Sequence, residues 1–124
     1  MKLNPIENLK VDASNSSEEF SQLPLLIYRY NEMFEQAREK ATLAELSVKE
    51  VQGEEYIRIK TEGEKVTEAH MNALLQTSKK VRSAKEEHAA AEKDAGTLKG
   101  ILEGLRAKKD AMVTIAANTR AEQK

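Results

Sequence analysis

TEAHMNALLQTSKKVRSAKEEHAAAEKDAGTLKGILEGLRAKKDAMVTIAANTRAE, residues 67–122, contains no proline and is dominated by Ala, Leu, Lys, Glu and Arg. These side chains lose little freedom in a helix, so the stretch predicts one long helix. Leu74, Thr77, Val81, Ala84, His88, Ala91, Ala95, Leu98, Leu102, Leu105 and Met112 fall at alternating steps of three and four, with Lys109 skipped. That spacing makes a narrow apolar seam, the coiled-coil pattern rather than the broad stripe of a globular helix. At ~1.5 Å per residue, about 55 residues make a rod of roughly 80 Å. Such a rod cannot bury its seam on itself, so the rest of the chain and other copies of it must cover it.

The preceding sequence supplies a partner. Phe20, Leu23, Ile27, Tyr30, Phe34, Ala37, Ala41, Ala44, Val48 and Val51 repeat the same steps and predict a second amphipathic helix, ending between Gln52 and Lys60. Ser16-Ser17-Glu18-Glu19 is a helix-start signal, a capping hydroxyl followed by carboxylates at the positive end of the helix dipole. Pro24 fits a first turn and breaks an interior, so the main helix is expected to begin near Leu23, after a turn over 17–22. Large residues lie at the start of this helix and toward the end of the long one, with alanines elsewhere. Antiparallel pairing sets large against large and alanine against alanine. The expected fold is therefore all-α, a long antiparallel coiled-coil-like hairpin over 17–124 that assembles into a homo-oligomer. Residues 1–16, rich in Asn and Ser, read as a flexible N-terminal arm, although Leu3, Ile6, Leu9 and Val11 offer docking points.

Between the helices, Gly53 and Gly63 punctuate the sequence. Tyr56, Ile57 and Ile59 alternate with Arg58 and Lys60 like a short strand, or continue the first helix to about Lys60 before a turn at 62–64. Thr67 caps the long helix and Glu68 favours its positive end.

The composition suits long helices. One third of the 124 residues are charged, 4% are aromatic and there is no Cys or Trp. The lack of Cys excludes disulfides, thiolate zinc sites and a cysteine nucleophile. Leu23 to Ile27 is too short an apolar run to span a bilayer, and the first ten residues lack a signal-peptide core. The net charge of −1 gives no global electrostatic case for nucleic acid.

No catalytic constellation or cofactor motif is visible. His70 and His88 lie on one side but roughly 27 Å apart along a helix, too far to share a metal. His88 and Glu92 have an i, i+4 relation but no third ligand, so no metal site is expected. Gly96, Gly100 and Gly104 share one helix face, which points to close approach of a neighbouring helix or to a softened spot. Lys79, Lys80, Arg82 and Lys85 concentrate four basic groups, Arg106, Lys108 and Lys109 form a second cluster, and Arg58 and Lys60 sit at the end of the first helix. Nucleic-acid contact there would go through phosphates and be sensitive to salt, because aromatics for base stacking are lacking. The structural alternative is a solvated helix face.

RIKTEGEKVTE, from Arg58, and LKGILEGLRAKKDAM, from Leu98, resemble signatures of phage UvsY-type recombination mediators. The resemblance covers roughly residues 30–122. It implies a helical protein assembled into a ring in the cytoplasm of an infected host cell. It also implies single-stranded DNA binding, and loading of a strand-exchange recombinase onto DNA coated by single-strand-binding protein. Basic residues just before the interhelical turn contact DNA in that family, and Arg58 and Lys60 hold the corresponding place. Here Glu54, Glu55, Glu62 and Glu64 flank them with negative charge. The other reading from the residues is a structural or assembly coiled coil without nucleic acid.

Overall fold

The computed structural model describes residues 3–10, 16–63 and 65–122. Four helices follow in order: α1 (Pro5–Leu9), α2 (Ser16–Glu62), α3 (Glu68–Thr77) and α4 (Lys79–Glu122). The protein is all-α, with no strand among the described residues. None of these helices is long and apolar enough to cross a membrane. The fold divides into two compact units, Met1–Glu35 with Gly96–Lys124, and Gln36–Ala95.

In the first unit, α2 and α4 pack their large residues together. Leu23, Leu26, Tyr30, Leu102, Leu105 and Met112 form the core, with Phe34, Leu98, Ile27 and Ile101 partly buried against it. This is the pairing of large with large that the residue sizes demand. Leu105 is fully buried, and removing such a side chain from water is worth about 1.5–3 kcal/mol.

The helix α2 does not wait for Pro24. It starts at Ser16 and carries the proline inside. The expected turn over 17–22 is thus helical. Proline removes one backbone hydrogen bond and crowds the preceding turn. Leu23 and Leu26, on either side, are buried, while Pro24 itself is exposed, where an unpaired carbonyl can bond to water. Core burial outweighs the local proline cost.

Residues 3–10 of the N-terminal segment contribute to this core, while Val11, another expected docking point, lies outside the described residues. Asn4 caps α1 by accepting a hydrogen bond from Glu7 N at 3.3 Å, and Pro5 occupies the first turn. Leu3 and Leu9 pack against the core. A Cβ on Gly104 would stand 2.6 Å from Leu9 Cδ2, so the absent side chain makes the space that Leu9 fills. Of the glycine face, Gly104 alone meets a neighbour this way; nothing lies within 4 Å of a Cβ at Gly96 or Gly100. The close approach comes from α1 and not from a long helix. Lys108, 5% exposed, donates from Nζ to the Asn8 carbonyl at 2.7 Å and pairs with Glu19 at 3.8 Å.

In the second unit, α2 runs on through Gly53 to Glu62, the chain bends at Gly63, and α3 begins at Glu68. Of the two readings, the helix that continues to about Lys60 is the one formed, and it runs on to Glu62, where a turn was expected to start; Glu64, the end of that expected turn, lies outside the described residues. Thr67 caps α3 as expected, its hydroxyl accepting from His70 N at 3.2 Å. Ala41, Ala84 and Ala91 are buried, together with Met71 and Val81. Small side chains on a seam let helix axes come close.

One expectation fails here. Residues 67–122 are not a single helix but α3 and α4, separated at Ser78, whose φ of −64° and ψ of 126° are extended. No proline or glycine causes the break. The Ser78 N–H donates to Leu75 O at 3.3 Å, while its hydroxyl accepts from Val81 N at 3.4 Å. Serine hydroxyls compete in this way with the helical hydrogen-bond ladder.

Candidate nucleic-acid interface

All six basic residues singled out from sequence, Arg58, Lys60, Lys79, Lys80, Arg82 and Lys85, fall in the second unit. They are not equivalent. Arg58 extends from the last turns of α2, and Lys79 and Lys80 open α4. These three line one open cleft with Glu55, Ile59, Leu74, Thr77 and Ser78.

Glu55 organises that cleft. It is 5% exposed, a buried carboxylate on the inner face of α2. Arg58 grips it with two hydrogen bonds, from Nε to Oε1 at 3.2 Å and from Nη2 to Oε2 at 2.9 Å. Ser78 Oγ donates to Oε2 at 3.2 Å, and Lys80 Nζ stands 4.0 Å from Oε1. Buried charges persist only when paired in this manner. The Arg58 hydrogen bonds hold the Glu55 carboxyl below its ordinary value, against the burial that pushes it up. Arg58 is held above its own ordinary value, by Glu55 first and by Glu62 as well. Its Nη1 donates to Glu62 Oε2 at 2.9 Å.

The remaining candidates stand apart. Lys60 does not line this cleft; its ammonium lies over the Tyr56 ring, 5.0 Å from the centroid. The Tyr56 hydroxyl raises the Lys60 pKa. Arg82 pairs with Glu86 at 3.2 Å, and both line a second shallow cleft with Lys85, Gln76, Val81 and Ala89. The pair Arg58 and Lys60, two positions apart in sequence, is thus split. Lys79 and Lys80 join Arg58 instead.

Sequence reasoning read Glu55 only as one of four flanking negative charges, not as the buried partner of Arg58, and missed Ser78. Glu55 had a signal, because it continues the three-four spacing after Val48 and Val51 and so falls on the seam. Ser78 had only its residue type. His88 pairs with Glu92 at 3.1 Å, and no group of three His, Asp or Glu side chains suited to a metal occurs among the described residues.

The second basic cluster of the sequence, Arg106, Lys108 and Lys109, loses its central member to the interior of the first unit, where Lys108 binds Asn8 and Glu19. Comparison of the chain with protein-family models, with curated proteins and with solved structures gave no match.

Proposed function

We propose that the protein is a non-enzymatic recombination mediator, a homo-oligomeric helical scaffold that binds single-stranded DNA and helps load a strand-exchange recombinase onto DNA coated by single-strand-binding protein. The observation that carries the DNA part is the gathering of Arg58, Lys79 and Lys80 around one cleft. The resemblance of RIKTEGEKVTE and LKGILEGLRAKKDAM to UvsY-type mediators supports the loading role. Contact goes through phosphates, without base stacking, and repetition of a weak site around an oligomer multiplies it. The test is binding of single- and double-stranded oligonucleotides across a salt titration, beside a mass measurement in solution. A loading assay with recombinase and protein-coated single strands tests the second half.

A second reading, an assembly adaptor without nucleic acid, is favoured by Leu43, Leu46 and Ile57, which are 59%, 55% and 66% exposed on α2. Large apolar side chains exposed at several points along one helix are the kind of surface that protein contacts cover. An oligomer that binds no oligonucleotide at low salt establishes this reading over the first.

A further inference from the structure

Arg58, Ser78 and Lys80 converge on a single oxyanion, and that oxyanion belongs to the chain itself. Three hydrogen bonds and one longer ionic contact meet the Glu55 carboxylate. The two-pronged Arg58 contact is the geometry that a guanidinium offers equally to a carboxylate and to the non-bridging oxygens of a phosphodiester. We propose that Arg58, Ser78 and Lys80 form a phosphate subsite that Glu55 fills in the free chain. A phosphodiester of single-stranded nucleic acid then takes the site by displacing Glu55. This rests on the nucleic-acid reading above and adds to it an internal competitor.

The exchange is chemically even. One monoanion replaces another, so the balance of charge around Arg58 and Lys80 is kept. The released carboxylate regains the water that its burial denies it. The site opens on the cleft that Lys79 also lines, so an incoming strand has a second cation beside the subsite. Two other basic groups are held differently. Arg82 meets one exposed carboxylate, on Glu86, and Lys108 meets a backbone carbonyl and Glu19 in the interior. A tethered competitor acts at high effective concentration and lowers the apparent affinity for any external phosphate. Glu62, 65% exposed, adds to the same restraint through Arg58 Nη1.

The experiment measures oligothymidylate binding by the full chain, by fluorescence anisotropy across a salt series, with helicity followed by circular dichroism. Glu55→Gln keeps the shape and can still accept from Arg58 and Ser78, but removes the competing charge. It is expected to bind about tenfold tighter, with the log–log salt slope little changed, because parent and variant make the same phosphate contact and only the competitor is lost. Glu54→Gln, the same charge change at an exposed neighbouring position, controls for net charge and is expected to change affinity less than about twofold. The gain from Glu55→Gln must vanish when Arg58→Ala is added, since Arg58 is the group set free. Should Glu55→Gln lose helicity, Glu62→Gln at the exposed end of the network replaces it, with an expected gain of about twofold that Arg58→Ala also abolishes. A Glu55→Gln affinity equal to that of Glu54→Gln, or a gain that survives Arg58→Ala, overturns the proposal while leaving DNA binding intact. If neither the parent nor the helical Glu55→Gln variant binds, the subsite and the nucleic-acid reading fall together.

Discussion

Lys108 and Asn8 are 100 positions apart in the chain and are joined by a 2.7 Å hydrogen bond from the lysine Nζ to the asparagine carbonyl. A lysine with its side chain 4% exposed is thereby spent on a backbone oxygen and on Glu19. The bond fastens α1 to α4. Asn8 Nδ2 adds a weaker link to the Tyr30 hydroxyl at 3.4 Å.

Lys108→Ala removes the donor from the Asn8 carbonyl and one ionic contact from Glu19. The expected loss is about 1–3 kcal/mol, the range for an unsatisfied buried partner. Chemical denaturation measures it. Limited proteolysis should show cleavage before Ser16 at lower protease concentration than in the parent.

The glycine face gives a graded prediction. Alanine in place of Gly96 or Gly100 meets no atom within 4 Å, so each change should stabilise by about 0.5–1 kcal/mol through helix propensity alone. Gly104→Ala should gain less, because its methyl displaces Leu9. Equal gains at all three positions would show that Leu9 does not occupy the notch.

Leu102 is 2% exposed in the core of the first unit. Leu102→Asp places an unpaired charge there and should cost more than about 4 kcal/mol, among the largest effects of a single change. Thermal unfolding decides this.

The Glu55 network sets a pH dependence. Its folded pKa is lowered from the ordinary glutamate value of about 4.3, so the carboxylate form is the one the fold favours. The contribution is fully present above that ordinary value and disappears as pH falls through the lowered folded value. Glu55→Gln has no such titration. The stability gap between parent and Glu55→Gln, measured by denaturant unfolding, should therefore narrow as pH drops from 5 toward 3.

For the proposed DNA contact, Lys79→Ala with Lys80→Ala should weaken single-strand binding more than Arg58→Ala with Lys60→Ala. Arg58 already serves two carboxylates and Lys60 covers an aromatic ring, whereas the Lys80 side chain is 78% exposed. Comparison of the two double variants at matched salt measures the difference.

The helices and their seams were legible because burial follows spacing. Leu23, Tyr30, Ala41, Val81, Ala84, Ala91, Leu102, Leu105 and Met112 were all read from steps of three and four and are all buried. What escaped depends on contacts that spacing does not encode. Leu9 finds Gly104 across the fold. Ser78 breaks a sequence with every local reason to stay helical, through bonds to Glu55 and Val81. The basic residues of the site were legible as charges. Carboxylates one helical turn away, Glu62 and Glu55 from Arg58, were in view as neighbouring charges. That Glu55 is buried and also held by Ser78 and Lys80 depends on contacts across the fold that spacing does not encode.

Gly96, Gly100 and Gly104 are three similar recesses one helical turn apart, and a docking leucine by itself would have no reason to prefer one. Four residues beyond Gly104 stands Lys108; four beyond Gly100 and Gly96 stands another glycine. The lysine thus distinguishes one notch from the others along α4, like the numbered mark on a ruler, and works with the Asn8–Tyr30 bond and the packing of Leu3 and Leu9 to hold the N-terminal helix there. Moving that lysine to position 104, with glycine at 108, would shift the anchoring point by one turn and re-thread the start of the chain without altering a single residue of α1.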